Sequence, residues 1–397
     1  MKRSPARPTS ASPFDAESSY GFVPAFAPAP SPRPSRQLAQ AEAKPIQIDI
    51  ERAAEAGQSL PTHPIILRDL PSQAEAHPTQ AQLSRLHRSL NQRDLVLLQA
   101  LYDYRYLNTL QIRELLFPSL RSCQMRLQTL RELGLLYRWP VIETPGVRRR
   151  HSLCLISARG ARVLADYHGE DSRMYVERSH HARDHCWHAL HDLEANQVFV
   201  SLASRSRGRQ DDGLLLWYGE EHVRSERAQV AGQHRVVAPM PDGRGVYLTP
   251  RGRIYFELEW DRATEAMARL ESKVRTYAEY FSHFSDARLR HVLLVLPTDD
   301  RESIVRRSSW WARLDAKGDY CCSFWTTTGW RVRAFGPLQP IWLAVEVDSE
   351  GPDEDTRLRD RTSLDLFAAI DANERPAADC IGKPRWWERR PGGGQAA

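Results

Sequence analysis

The run HVLLVL at 291–296, closed by Pro297, constrains the fold more than anything else in the chain. A strand with one wet face alternates apolar and polar residues. A continuous apolar run is typical of a strand buried on both sides, so other elements must cover each face. Just before it lies an amphipathic stretch with Met267, Leu270, Val274, Tyr277 and Phe281 on one helical face. Short apolar runs, LLLWYG, HRVVAPM and GVYLT, alternate with turns upstream, and YCCSFWTTT and PIWLAVEV follow downstream. A helix is expected from His185 through WHALHDLEANQVFVSLA. Helix, several strands, helix, strand: residues 180–348 read as an α/β domain with a mixed sheet.

The 397 residues suffice for two or three domains. Eight prolines among Ala and Ser fall within the first 34 residues, and such a segment buries too little apolar surface to offset its ordering entropy. Residues 1–85 are therefore expected to form a disordered arm, and 349–397, acidic and then rich in Gly and Arg, a loosely ordered tail. The six cysteines form no CxxC pair, so neither a zinc site nor a disulfide framework is implied. No apolar run reaches the ~18 residues that would suggest a membrane span, and Lys2 and Arg3 lead into no apolar signal core. The expected location is the cytoplasm, with no membrane partner.

The formal net charge is +5, and 91–150 alone carries ten Arg against five Asp or Glu, with no Lys. That surplus of five leaves the rest of the chain neutral and marks a candidate polyanion-binding surface. Within 86–170, Asn91 can cap a first helix, Thr109 opens a second that stops at Pro118, and Ser119 can cap a third, LRSCQMRLQTLREL, ending at Gly134. LLYRW and VRRRHSLCL then read as two strands of a hairpin, and ARGARVLADY as one more helix. Three helices and a basic hairpin predict a winged helix-turn-helix whose partner is double-stranded DNA. Arg121, Ser122, Gln124, Gln128 and Arg131 point outward from the third helix, and Arg148, Arg149 and Arg150 lie near a phosphate backbone. A small helical domain with solvated arginines is the plainer reading.

In FELEWDRATE, Glu257, Glu259 and Asp261 alternate with Phe256, Leu258 and Trp260. Side chains two apart on a strand lie roughly 7 Å from each other, where two charges repel by about 0.6 kcal/mol in water and ~2.4 kcal/mol at an effective dielectric near 20. If the acidic face is open to solvent, an ordinary amphipathic strand explains the pattern. Two features favour a metal seat. Asp242 follows Pro241 just before another predicted strand, and Lys273 lies on the next helix where it can lean toward the acidic edge. An Asp from one strand and carboxylates of its neighbour can hold Mg²⁺ or Mn²⁺ through hard oxygens, and such an ion activates water for attack on a phosphodiester.

LNQRDLVLLQALYDYRYLNTLQIRELLF, HDLEAN at 191–196, Pro241-Asp242, EWDRAT at 259–264 and the pair Lys273 and Tyr277 together resemble the replication-relaxation family of plasmids and integrative elements, over about residues 88–345. The resemblance implies a winged helix before a domain similar to the PD-(D/E)xK restriction-endonuclease fold, with a role in plasmid replication and mobilisation beside a relaxase or replication initiator, and leaves a homodimer open. It places metal ligands at Asp242 and Glu259 and puts Asp261 where a Lys is usual. A shifted register, Glu257 and Glu259, gives ExE instead. The catalytic set it implies is Asp242, Glu259, Asp261 and Lys273, with Lys273 replacing the strand lysine and Glu194 able to add a helical carboxylate. Two functions follow: a DNA-binding accessory protein with an inactive nuclease-like domain, or an active metal-dependent endonuclease. His181, His185 and His188 have the spacing of one helical face, yet without an HExxH pattern they read as surface or capping residues.

Overall fold

The computed structural model describes residues 77–140, 152–185, 189–206, 212–224, 227, 237–262, 266–282, 290–308, 311, 322–345, 361–364 and 367. The first four helices among the described residues are α1 (Gln80–Ser89), α2 (Gln92–Asp103), α3 (Thr109–Leu116) and α4 (Leu120–Glu132). Each starts at a polar cap that satisfies otherwise orphaned N–H groups. Thr79, Asn91 and Asn108 form capping boxes with Gln82, Asp94 and Gln111. Ser119 caps α4 by accepting from the Ser122 N–H. That helix stops where Gly134 adopts a left-handed φ of 72° and the Leu135 N–H returns to the Leu130 carbonyl, the wrap that ends many helices at glycine.

A small antiparallel sheet joins a strand between α2 and α3 to two that follow α4, in the order β1 (Leu107–Asn108), β3 (Ser152–Ile156), β2 (Leu136–Pro140). Then come α5 (Ala158–His168), α6 (Ser172–Asp184) and α7 (Ala189–Arg205). The helix expected from His185 differs from this. His185 is the C-cap of α6, and its ring donates to the His181 carbonyl. The two histidines therefore close one helix and do not ligate from one face, and His188 lies outside the described residues.

The larger sheet has six strands in chain order: β4 (Gly213–Gly219), β5 (Gly243–Thr249), β6 (Gly252–Trp260), β7 (Arg290–Leu296), β8 (Cys322–Thr328) and β9 (Leu343–Ala344). β4, β5 and β6 pair antiparallel, β6, β7 and β8 parallel, and β9 antiparallel. The parallel steps run through α8 (Met267–Ser282) and α9 (Asp299–Arg306), and α10 (Gly329–Phe335) follows β8. Two expected strands are reduced. In HRVVAPM, residues 237–240 take no regular structure, and Pro239 and Pro241 lack the N–H a ladder needs. Among the described residues of PIWLAVEV, Leu343 and Ala344 form the strand that pairs in the sheet, while Trp342 bridges to Thr362.

β7 is buried along its whole length. Leu293 and Val295 face the α7 side with Phe256, Leu258, Trp260 and Trp325. Val292, Leu294 and Leu296 face α8, against Leu270, Val274 and Tyr277. The α7-side core is continuous with that of the helical region: Leu97, Leu127, Phe199 and Phe256 belong to one cluster. α7 is the shared element. Its Asn196 amide donates to the Tyr104 and Tyr106 carbonyls, and its Leu193 carbonyl accepts from Gln111. Tyr104 also stacks on Trp217 of β4 at 3.5 Å. Within the expected tail, Thr362 pairs with Trp342, and Phe367 stacks on Trp325 at 3.8 Å.

Candidate functional site

The acidic face of β6 is not open to solvent. Glu257 is 1% exposed and Glu259 4%, because alternation turns them toward α8 while Phe256, Leu258 and Trp260 fill the other core. The solvated-strand explanation therefore fails, and at low dielectric the repulsion between neighbouring carboxylates must be met by cations.

Each carboxylate has its own. Glu257 pairs with Arg227 and, at 3.4 Å, with Arg244, which stands directly opposite it on β5. Both arginines are also buried. Glu259 accepts from Lys273 Nζ at 3.0 Å and from the Tyr277 hydroxyl at 2.6 Å. Lys273 and Tyr277 are one turn apart on α8, so a single helix face supplies both. Asp261 pairs with Arg301 of α9 at 3.1 Å.

Asp242 completes the arrangement from the neighbouring strand. Its N–H continues the β5–β6 ladder to the Leu258 carbonyl, and its carboxylate accepts from the Trp260 N–H at 2.7 Å. This register sets Asp242 opposite Glu259. Gly243, next in the chain, leaves room for Phe199, whose ring carbon would lie 2.5 Å from any added Cβ. On α7, His191 donates through Nε2 to the Trp260 carbonyl at 2.9 Å and lies 3.4 Å from Asp242. Its Nδ1 is 3.6 Å from Asp192, which reaches Arg105 at 3.4 Å. Arg105 also holds Glu220 and Glu221. It has a left-handed φ of 61°, an uncommon state for a side chain this size and typical of over-determined positions. An open cleft beside Asp242 is lined by Arg105, Asp192, Asn196, Glu220 and Glu221.

The electrostatics follow from that packing. Burial and then the charge of Asp242 push the Glu259 carboxyl up to about 7, against Lys273 and Tyr277. Burial alone would raise Asp242 too, but His191, the Trp260 N–H and Lys273 outweigh it and hold that carboxyl below its usual range. Burial would lower His191, yet Asp242 and Asp192 together push it up to about 11. Asp242 and Glu259 thus share one field, the first ionised and the second reluctant.

Of the residues singled out in the sequence, the fold brings Asp242, Glu259 and Lys273 together. Glu257 and Asp261, one alternate position to either side of Glu259, are engaged by arginines. Glu194 binds the Trp260 indole at 3.1 Å and approaches Arg262 at 3.4 Å. Among the described residues no group of three or more His, Cys, Asp or Glu is placed to hold a metal ion. Sequence reading missed Arg105, Arg227 and Arg244, and named His191 only within a motif. The one signal for Arg244 was an arginine two residues after Asp242 in an otherwise apolar strand.

A second surface lies on α4. Cys123, Leu127 and Leu130 are fully buried, whereas Arg121, Gln124, Gln128 and Arg131 are exposed and Ser122 is half-buried at the capped start. Arg148, Arg149 and Arg150 lie outside the described residues. No described helix is long and apolar enough to cross a membrane.

Residues 98–293, which include α4, His191, Asp242, Glu259 and Lys273, match the family model described as replication-relaxation. No curated protein and no solved structure matches the chain.

Proposed function

From the membership of residues 98–293 in the replication-relaxation family, we infer that the protein is a DNA-binding accessory factor of plasmid or mobile-element replication or mobilisation. Residues 86–170 act as a winged helix that docks duplex DNA, and residues 180–348 as a nuclease-like platform that meets a relaxase or replication initiator. The observation that carries this reading is the outward face of α4, polar apart from Met125 and carrying an exposed arginine toward each end, while its inner face is sealed into the core. A helix displayed in this way fits a major groove. The charge-balanced strand β6 supports a platform: Glu257, Glu259 and Asp261 each have a resident cation, so the charge of each is met by a side chain of the fold. The test is a salt titration of duplex binding. Affinity that falls steeply with salt is expected, and absence of binding at low salt overturns the reading.

The facing of Asp242 and Glu259 beside Lys273 favours a second reading, a metal-dependent endonuclease. Two hard carboxylates suit Mg²⁺ or Mn²⁺, which fills its other positions with water and phosphate oxygens. Glu257 does not suit the role, because two buried arginines hold it. A bound ion would supply water activation and charge stabilisation. The chain's own residues orient the site: His191 and the Trp260 N–H fix Asp242, Tyr277 fixes Glu259, and Lys273 keeps a cation beside the two carboxylates. Supercoiled plasmid incubated with Mg²⁺ or Mn²⁺ decides. Nicking by wild type that vanishes in an Asp242→Ala, Glu259→Ala double variant establishes the enzyme, and an identical pattern in both eliminates it.

A further inference from the structure

We propose that α4 reads A·T base pairs in the major groove, with Met125 seated on a thymine methyl group and Gln124 and Gln128 pairing with adenine; this rests on the DNA-binding reading above. Met125 is 63% exposed in the middle of an otherwise polar helix face. Residues three and four apart share a face, so Arg121, Gln124, Met125, Gln128 and Arg131 form one outward surface.

The arginine nearest the middle of the helix is withdrawn from that surface. Arg126 turns back to the buried carboxylate of Asp94 and to the Ser89 carbonyl. Thr129 stays exposed beside Met125, with its hydroxyl donating to the Met125 carbonyl at 3.2 Å. The centre of the face is therefore left with two amides, a thioether and the Thr129 methyl, and the cations stand toward its ends, Arg131 next to the exposed carboxylate of Glu132.

Each group has a defined complement. Guanine is read most often by a bidentate Arg or Lys, which this centre lacks, and adenine N6 and N7 by a bidentate Gln or Asn. The apolar feature on the groove floor is the thymine C5-methyl, and an exposed thioether flanked by amides matches it. Ten residues of helix separate Arg121 from Arg131, roughly 15 Å at 1.5 Å per residue, against a groove about 12 Å wide. The terminal arginines thus reach the phosphates on either rim while the amides face the bases. Gln128 donates one amide hydrogen to Glu132 at 2.8 Å, which leaves its second amide hydrogen and its oxygen for adenine N7 and N6.

The experiment selects duplexes from a randomised pool with the full-length chain at fixed salt. It then measures affinity for the selected duplex and for copies with deoxyuridine in place of each thymidine. A·T pairs are expected at the central positions, and loss of the contacted methyl weakens wild type about fourfold, equivalent to ~0.8 kcal/mol. Met125→Ala, a surface change, binds the two duplexes equally. Gln124→Ala and Gln128→Ala each relax selection at one position only. Selection without A·T enrichment overturns the proposal, as does a deoxyuridine penalty that is absent in wild type or undiminished in Met125→Ala. Failure to bind any duplex at low salt would instead remove the DNA-binding reading on which it rests.

Discussion

The outer face of α4 and the inner face of β6 are both rows of polar side chains on regular elements, and they differ in where their partners come from. On α4, Arg121, Gln124 and Arg131 stand exposed, within a helix whose stability comes from Cys123, Leu127 and Leu130 beneath. On β6, Glu257 and Glu259 lie in the core and are matched by Arg227, Arg244, Lys273 and Tyr277, brought from three other places in the chain. The first row can be changed without harming the fold. The second is part of what holds the fold together, whatever else it does.

The largest effect tests that division directly. Replacing Glu257 by Ala leaves two buried guanidinium groups without their carboxylate, and truncating one side of a buried ion pair typically costs about 3–5 kcal/mol. Denaturant unfolding is expected to show a loss of that size. A loss below about 1 kcal/mol would mean that water reaches the triad and that β6 is less sealed than its burial indicates.

The next effect separates Glu259 from its neighbour by pH. Its carboxyl titrates near 7 in the fold, above the ~4.3 of an unperturbed glutamate, so the folded state favours the protonated form. The corresponding stabilisation is complete below about pH 4.3 and is lost as pH rises through 7. Wild type should therefore lose on the order of 3 kcal/mol from this group between about pH 4.5 and 8, whereas Glu259→Gln lacks that loss. The stability of the variant relative to wild type should rise over this window. Parallel curves would show that Lys273 and Tyr277 neutralise the field of Asp242.

The same contrast explains what the sequence disclosed. Helix caps are local, so Asn91, Ser119 and Gly134 marked boundaries within a few residues of the groups they satisfy. The buried strand at 290–296 was legible because continuity of apolar residues needs no distant partner. The Asp242, Glu259 and Lys273 grouping was visible because register and helix spacing carry it. What stayed hidden depended on pairing across the chain. Alternating charge on β6 looks the same whether solvent or α8 covers it, and nothing near Glu257 announces Arg227 thirty residues earlier. Helix α6 was missed because its sequence, SRMYVERSHHARD, buries only Tyr175, Ser179 and Ala182 and so shows little periodicity.

A smaller effect lies at the start of α4. Ser119→Ala removes the side-chain acceptor for the Ser122 N–H, a change worth about 1 kcal/mol at a helix N-cap. Because Arg121 sits in that first turn, duplex affinity should fall with it while base preference stays the same. Unchanged thermal unfolding would indicate that packing through Cys123 holds the turn without its cap.

The smallest effect on stability completes the comparison. An Arg121→Ala, Arg131→Ala double variant alters two exposed side chains, so its unfolding free energy should remain within about 0.5 kcal/mol of wild type for each change. Its DNA binding should differ in a diagnostic way: the slope of log affinity against log salt becomes shallower by about 2, one for each phosphate contact removed, with the loss uniform across sequences. The effects would then be opposite on the two rows, stability without binding on one and binding without stability on the other. If the slope is unchanged while wild type still binds, α4 does not bridge the phosphate rims, and the contacts must come from another part of the basic 91–150 stretch. If stability falls instead, the outer face of α4 is packed against something in solution, and the protein uses it to hold a partner chain.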